Sequence, residues 1–258
     1  MKVRDVMVTD LITVDADEPV TTAVDLMEKH GISRLLVRDE GKIVGIITER
    51  DVVKAVGSRK KRGKKPTHIY VSSACTKDLV WVRPDDDIRK VVKLMLDKKI
   101  SSVVVKDNDK VVGIVTKTDV VRTLKDNEEP VTSYMNKPIV LKQDDSLIEA
   151  RKKMLDYGIK KFPVVNDGMI VGILTESDMA KILVGFKKLI DDENIEREME
   201  RLRVRDVMSR KITTIDKDAT VGEAVKVMLE KGISSLPIVD NGRLVGIVTK
   251  TDFLKFYL

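Results

Sequence analysis

A heptapeptide pattern that occurs four times constrains the fold of this chain more than any other feature. The four stretches share a glycine, two apolar residues, a threonine and an aspartate at fixed spacing: GIITERD (45–51), GIVTKTD (113–119), GILTESD (172–178) and GIVTKTD (246–252). The similarity extends over roughly 55 residues around each stretch, although the third copy aligns only after about one residue near Met135 is removed. Internal repeats of this length indicate a repeated supersecondary unit, so the four copies decide the fold prediction.

Each copy predicts the same order of elements, β-α-β-β-α. A short apolar strand leads through a polar turn into a helix with apolar residues at helical spacing, as at Val20, Ala23, Val24 and Met27. Two strands joined by a hairpin turn follow, and a closing helix begins near the motif aspartate. The methionines on this spacing are predicted core residues. The fold class is therefore α/β, in the α+β sense.

The predicted helix ends and domain ranges follow from the same alignment. Gly31, Gly158 and Gly232 are predicted C-caps of the first helix, and Lys99 replaces the glycine in copy two. The four predicted copies span residues 1–57, 69–125, 130–185 and 202–258. Because a unit of about 55 residues is marginal alone, we expect adjacent copies to pair, one with two and three with four.

Two charged segments connect the copies. GSRKKRGKKPTH (57–68) is a basic linker within the first expected pair. FKKLIDDENIEREMERLR (186–203) carries one apolar stripe, which predicts a helix that extends the closing helix of copy three. A helix that binds a partner is the alternative for this second segment.

The composition argues against several classes of protein. The chain has no apolar run of 18 residues and no signal-peptide pattern at its first residues, so we expect a soluble, cytoplasmic protein without a membrane segment. One cysteine and two histidines offer neither an internal disulfide nor a metal site. The net charge of +6 combines 48 basic and 42 acidic residues, which does not by itself indicate nucleic acid. A charged content of 35% resembles that of proteins from thermophiles.

The repeated motif has two interpretations from its residues alone. A threonine followed three residues later by an aspartate, as in Thr48 and Asp51, is a capping box that satisfies the first N–H groups of a helix. The end of a strand beside the start of a helix is also a place where phosphates and ribose hydroxyls bind, and the motif glycine permits close backbone approach. An aspartate there can accept hydrogen bonds from a ribose diol, so the same residues can cap when empty and bind when occupied.

The fourfold motif within this element order resembles the CBS domain family, and four copies in one chain resemble the gamma subunit of AMP-activated protein kinase and its stand-alone archaeal relatives. The resemblance covers almost the entire chain. It implies two Bateman modules, each a pair of CBS domains related by a pseudo-twofold axis, assembled into a disc. It also implies clefts that bind adenosine-containing ligands: AMP, ADP, ATP, S-adenosylmethionine or NAD-type molecules.

The resemblance implies roles for residues in every copy. The positions that match the ribose-binding aspartate of the family are Asp51, Asp119, Asp178 and Asp252. Those that match its ribose-contacting or phosphate-contacting residues are Thr48, Thr116, Thr175, Thr249, Arg50, Thr118, Ser177 and Thr251. The two positions that open the second strand bind phosphate in the kinase subunit. Here they are basic only at Arg34, Lys160 and Lys161 and are serines in copies two and four, which leaves the number of phosphates open.

These features favour a regulatory, non-enzymatic sensor of adenine nucleotides. Ligand-dependent rearrangement of CBS pairs would be read by a homodimer partner or another protein. An S-adenosylmethionine or other adenosyl sensor is the alternative ligand class. No recognisable catalytic motif includes His30, His68 or Cys75, and this argues against an enzyme. RNA or DNA binding through SRKKRGKK is a third possibility, but no aromatic residue interleaves with this basic run.

Overall fold

A computed structural model, which describes residues 1–56, 68–189 and 192–258, contains the predicted element order in every copy. The elements of copy one are β1 (Thr13–Asp15), α1 (Val20–His30), β2 (Arg34–Asp39), β3 (Lys42–Thr48) and α2 (Glu49–Val56). Those of copy two are β4 (Trp81–Val82), α3 (Ile88–Asp97), β5 (Ser102–Asp107), β6 (Lys110–Thr116) and α4 (Lys117–Val121). The mixed α/β class predicted from the repeats is confirmed.

The second half of the chain repeats this order. Copy three contains β7 (Leu141–Lys142), α5 (Leu147–Tyr157), β8 (Lys161–Asn166), β9 (Met169–Thr175) and α6 (Glu176–Leu189). Two helices follow, α7 (Asp192–Arg201) and α8 (Val204–Val207). Copy four contains β10 (Ile215–Asp216), α9 (Val221–Glu230), β11 (Ser235–Asp240), β12 (Arg243–Thr249) and α10 (Lys250–Phe253). None of the described helices is both long enough and apolar enough to span a membrane.

The three strands of each copy pair in sequence order. In copy one, β1 runs parallel to β2, with Val14 opposite Val37, and β2 runs antiparallel to β3, with Leu36 opposite Ile46. The other copies repeat this pattern, including a register shift near the middle of the hairpin. The first hairpin strand of each copy buries three or four consecutive residues, and the second buries alternate residues, so both strands contribute to the core.

The predicted C-caps of the first helices adopt the left-handed conformation. The φ angles are 63° at Gly31, 65° at Gly158 and 64° at Gly232. Lys99 adopts a φ of 53° at the same place in copy two. The common geometry of the turn is thus retained where the chain lacks the glycine that accommodates it most easily.

The first residues of each copy pair with a hairpin strand of the neighbouring copy. Val8 exchanges two backbone hydrogen bonds with Ile114 of copy two, at 2.9 and 3.0 Å. The corresponding pairs are Thr76 with Ile46, Asn136 with Ile247, and Ser209 with Ile173, each with two bonds of 2.9 Å. We call the stretches that open the four copies, residues 1–11, 69–77, 130–138 and 202–212, the leading segments. Copies one and two thus exchange their leading segments, and so do copies three and four.

The chain forms two compact units that combine alternate copies. The first unit contains residues 1–11, 78–138 and 213–258, which are the main parts of copies two and four with the leading segments of copies one and three. The second unit contains residues 12–77 and 139–212, which are the main parts of copies one and three with the leading segments of copies two and four. Each unit has its own hydrophobic core. This division differs from our expectation that adjacent copies share a core.

The closing helices account for this division. In the second unit α2 packs against α6, and Val52 of α2 and Met179 of α6 are buried in the shared core. In the first unit α4 packs against α10, with Val120 and Phe253 fully buried. Apolar periodicity identified the buried side of each helix, but it does not identify the helix that covers it.

The charged segment after copy three is helical where it is described. α6 continues to Leu189, and α7 packs against α5 with Met199 buried. Met199, one residue of the predicted apolar stripe, thus contributes to the core of the second unit. The basic run SRKKRGKK lies outside the described residues.

Candidate functional site

The repeated motif forms a capping box at the start of the closing helix in all four copies. The Oδ2 atom of each motif aspartate accepts hydrogen bonds from the backbone N–H of the motif threonine at 2.8 to 2.9 Å. The same atom accepts from the threonine Oγ1 at 2.7 Å. Capping, the first interpretation of the motif, is therefore real and uses one oxygen of each carboxylate.

The second carboxylate oxygen, Oδ1, has different surroundings in the four copies. Among the described residues, no hydrogen bond reaches Oδ1 of Asp51 or Asp178. Oδ1 of Asp119 lies 3.7 Å from the Arg122 guanidinium. Oδ1 of Asp252 accepts a hydrogen bond of 2.8 Å from the Asn136 side chain. Within the described ranges, the oxygen that a ribose would use therefore accepts no hydrogen bond in copies one and three, whereas it accepts one in copy four.

The motif glycines give space to the leading segments. A Cβ added at Gly45 would lie 2.9 Å from the carbonyl oxygen of Thr76, and one added at Gly113 would lie 3.1 Å from that of Val8. In copies three and four the glycine lies against the thioether of a methionine in the leading segment. We attributed this close approach to a ligand, but the structure fills the space with protein because the exchanged segments pack there.

In the second unit the motifs of copies one and three contact each other directly. Arg50 Nε donates to Glu176 Oε1 at 2.9 Å, and Ser177 Oγ donates to Glu49 Oε1 at 2.6 Å. Lys160 Nζ lies 4.0 Å from Glu176 Oε2. The residue after the threonine in one motif therefore bonds the residue before the aspartate in the other.

The first unit has the same cross-contacts with a different charge. Lys117 Nζ donates to Thr251 Oγ1 at 2.7 Å, and Lys250 Nζ donates to Thr118 Oγ1 at 2.9 Å. Lys250 is buried, and the neighbouring Ser235 hydroxyl, at an opening position of the second strand, makes no hydrogen bond to described residues. Two lysines thus stand where the second unit has Glu49 and Glu176.

The predicted phosphate-binding residues of copies one and three lie close enough to affect each other's pKa values. Desolvation lowers the pKa of Lys160, attraction to Glu176 opposes this effect, and repulsion from Arg50 and Arg34 adds to it. Desolvation also lowers the pKa of Lys161, against attraction to Glu49 and Asp178. The backbone carbonyl of Lys160 accepts from the Glu176 N–H at 2.8 Å, which places the strand opening beside the motif.

The histidines and the cysteine form no catalytic arrangement in the described part of the chain. His30 ends α1, and His68 is exposed at the start of a described range. Burial raises the pKa of the Cys75 thiol, which disfavours the reactive thiolate. Among the described residues, no group of three or more His, Cys, Asp or Glu side chains is arranged to hold a metal ion.

Sequence reasoning missed five polar residues that the structure places at the motifs. They are Glu49, Glu176, Lys117, Lys250 and Asn136. The first four contain a signal that was available: the residue after the threonine is acidic in copies one and three and basic in copies two and four. This alternation matches the pairing of copies in the two units. Asn136 had no such signal, because its contact depends on the exchange of leading segments.

Comparison with known protein families finds a match to one family model in each of the four copies. The family model for the CBS domain matches residues 3–58, 71–126, 131–185 and 204–258. These matches include all four motifs and the leading segments.

Two relatives match nearly the whole of this chain. Protein MJ1225 of Methanocaldococcus jannaschii is 26% identical over 268 residues, which cover 96% of this chain and 95% of the relative. Its crystal structure, described as that of a candidate archaeal homologue of g-AMPK, covers both chains completely, with a TM-score of 0.86 and 25% identity. Protein MJ1404 of the same organism is 30% identical over 98% of this chain, which spans 61% of that relative. A Pyrococcus horikoshii structure, with a TM-score of 0.66 and 24% identity, shares the fold.

Proposed function

The chain belongs to the CBS domain family, and we propose that it is a regulatory protein that binds the adenine nucleotides AMP, ADP and ATP at its motif aspartates. One observation carries this proposal. In every copy the capping interactions use Oδ2 of the aspartate, so capping does not require the other oxygen. A carboxylate oxygen at the start of a helix is a suitable acceptor for a ribose diol.

The ribose contact comes from the aspartate and the neighbouring threonine. Thr48 and Thr175 hold Asp51 and Asp178 in fixed positions through two hydrogen bonds each. This orientation reduces the entropy that ordering the carboxylate would otherwise cost on binding. The corresponding residues of copies two and four are Thr116, Thr249, Asp119 and Asp252.

The phosphate contacts come from the cationic groups beside the motifs. In the second unit these groups are Arg34, Arg50, Lys160 and Lys161, where Arg50 and Lys160 now face Glu176. A phosphate there would compete with this carboxylate for its cations. In the first unit Lys117 and Lys250 donate to the uncharged hydroxyls of Thr251 and Thr118, and a phosphate would replace these two bonds with charge-assisted ones.

The regulatory mechanism is linkage between the two motifs of a unit. A ligand that displaces Glu176 from Arg50 changes a bond between copies one and three. Binding at one motif therefore alters the other and favours one arrangement of the two copies. A second copy of the chain or another protein reads that arrangement, and the chain itself does not catalyse a reaction.

A thermal-shift comparison of ligands tests this function. We expect AMP, ADP or ATP to raise the melting temperature of the nucleotide-stripped chain, because a ligand at 100 times its Kd stabilises the native state by about 2.7 kcal/mol. Guanosine monophosphate and ribose 5-phosphate are the matched controls for the base. A shift with S-adenosylmethionine alone would favour the alternative ligand class. No shift with any adenosyl compound would contradict the proposal and leave the aspartates as helix caps.

A further inference from the structure

The carboxylate of copy four accepts hydrogen bonds from protein groups at both of its oxygens. Oδ2 of Asp252 accepts from the Thr249 N–H and hydroxyl at 2.8 and 2.7 Å. Oδ1 accepts from Asn136 Nδ2 at 2.8 Å and lies 3.8 Å from the Lys255 ammonium. Asp252 is also buried, with 9% of its surface exposed. A ribose hydroxyl must therefore share this oxygen with the asparagine amide or displace it.

Asn136 belongs to a position at which the four leading segments differ. Val8, Thr76 and Ser209 occupy the equivalent place, and each makes the same pair of backbone hydrogen bonds to its hairpin. The valine cannot donate a hydrogen bond. The Ser209 hydroxyl lies instead 3.5 Å from the carbonyl oxygen of Lys211. Among the described residues, Asn136 alone at this position bonds a motif aspartate.

We propose that Asn136 is a latch: its side-chain amide occupies Asp252 Oδ1 and lowers the affinity of the copy four site for its ligand. This inference rests on the proposed function, since it treats Asp252 as a ribose acceptor. Two backbone hydrogen bonds to Ile247 fix the backbone of Asn136. The side-chain amide therefore lies at Asp252 without an additional loss of backbone entropy. In copy two Val8 offers no amide at the equivalent place, so there Asp119 Oδ1 meets the Arg122 guanidinium instead, at 3.7 Å.

The effect of the latch follows from the strength of one hydrogen bond to a carboxylate. Such bonds contribute about 1.5 to 3 kcal/mol when well buried. Asn136 is exposed, so we expect a smaller effect, about threefold to tenfold in AMP affinity at copy four. This effect on affinity requires no further contacts, because the amide and the ribose hydroxyl compete for the same oxygen.

Two measurements on the full chain test the latch. Carbodiimide labelling of carboxyl groups, read by mass spectrometry, reports access to Asp252 in the absence of any nucleotide. We expect N136S to label Asp252 several times faster than the native chain does. AMP titration in a background that keeps only copy four (D51A, D119A and D178A) reports the affinity, and N136S should raise it about threefold to tenfold.

Ser209 provides the matched control at the equivalent position. S209A should change neither the labelling of Asp178 nor AMP affinity in a background that keeps only copy three (D51A, D119A and D252A), because Ser209 makes no bond to Asp178. Unchanged labelling of Asp252 in N136S would overturn the latch, and so would faster labelling with equal or weaker AMP binding. If labelling rises but no chain binds AMP, the latch stands as a contact and the proposed function fails.

Discussion

AMP binding by the second unit is expected to fall by about 100-fold when Asp51 and Asp178 are both replaced by alanine. Each carboxylate would lose its hydrogen bonds to a ribose diol, and hydrogen bonds to charged groups contribute about 1.5 to 3 kcal/mol each. Calorimetry should show this as a loss of the second unit's share of the AMP stoichiometry. The matched variant D119A/D252A should retain that share, since its substitutions lie in the first unit.

Asparagine separates the two roles of these aspartates. D51N and D178N keep an oxygen for the threonine N–H and hydroxyl, so the cap that alanine removes, which is typically worth about 1 kcal/mol, is largely retained. The neutral amide presents a donor where the ribose needs an acceptor. We therefore expect the asparagine variants to fold with near-native stability and still to bind AMP poorly. Native affinity in D51N/D178N would show that the motif is a cap and no more.

The first unit is expected to lose about 2 kcal/mol of stability when Gly222 is replaced by alanine. Gly222 is buried in the first turn of α9, and an added Cβ would lie 2.8 Å from the carbonyl oxygens of both Asn127 and Lys125. These are backbone atoms, so relief requires movement of the chain rather than of a flexible side chain. Overpacking of this kind costs about 1 to 3 kcal/mol. Urea denaturation should show a lower midpoint at an unchanged slope.

Gly185 is the matched control for this substitution. It lies in α6, and a Cβ added there would meet no atom within 4 Å. Alanine is favoured over glycine inside a helix by about 0.5 to 1 kcal/mol. G185A should therefore stabilise the chain slightly, while G222A destabilises it. Equal effects of the two substitutions would contradict the close packing of α9 on the Lys125–Asn127 turn.

Much of the local structure could be predicted from the sequence because each copy carries its own signals. The helical spacing in Val20–Met27, together with the short apolar stretches and their hairpin turns, predicts the element order of all four copies. The alignment even placed Lys99 at the C-cap, where it adopts a positive φ. These features depend on residues close in sequence, which is where propensity and pattern are most informative.

The arrangement of the copies could not be predicted in the same way. Two long-range features decide it, the exchange of leading segments and the packing of α2 on α6 and α4 on α10. An apolar face indicates burial without naming its partner. The charges of Glu49 and Glu176, against Lys117 and Lys250, marked the alternate pairing, but their meaning emerges only when the bonds between motifs are known.

The candidate site was predicted in part. Asp51, Asp119, Asp178 and Asp252 occupy equivalent places at the start of their helices, and their ligand role stays a prediction. The motif glycine was assigned to a ligand, whereas the leading segment fills its space. A residue's neighbours along the chain cannot reveal a segment that arrives from another copy.

A comparison of AMP with 2′-deoxy-AMP by calorimetry tests the central claim most directly, because the two ligands differ only in one of the two ribose hydroxyls that the aspartates are proposed to bind. The account predicts that the native chain binds AMP and binds the deoxy compound at least about tenfold more weakly, as expected for one lost hydrogen bond to a carboxylate. In D51N/D178N this difference should disappear at the second unit. Equal affinity of the native chain for both ligands would contradict a ribose contact at the motif aspartates.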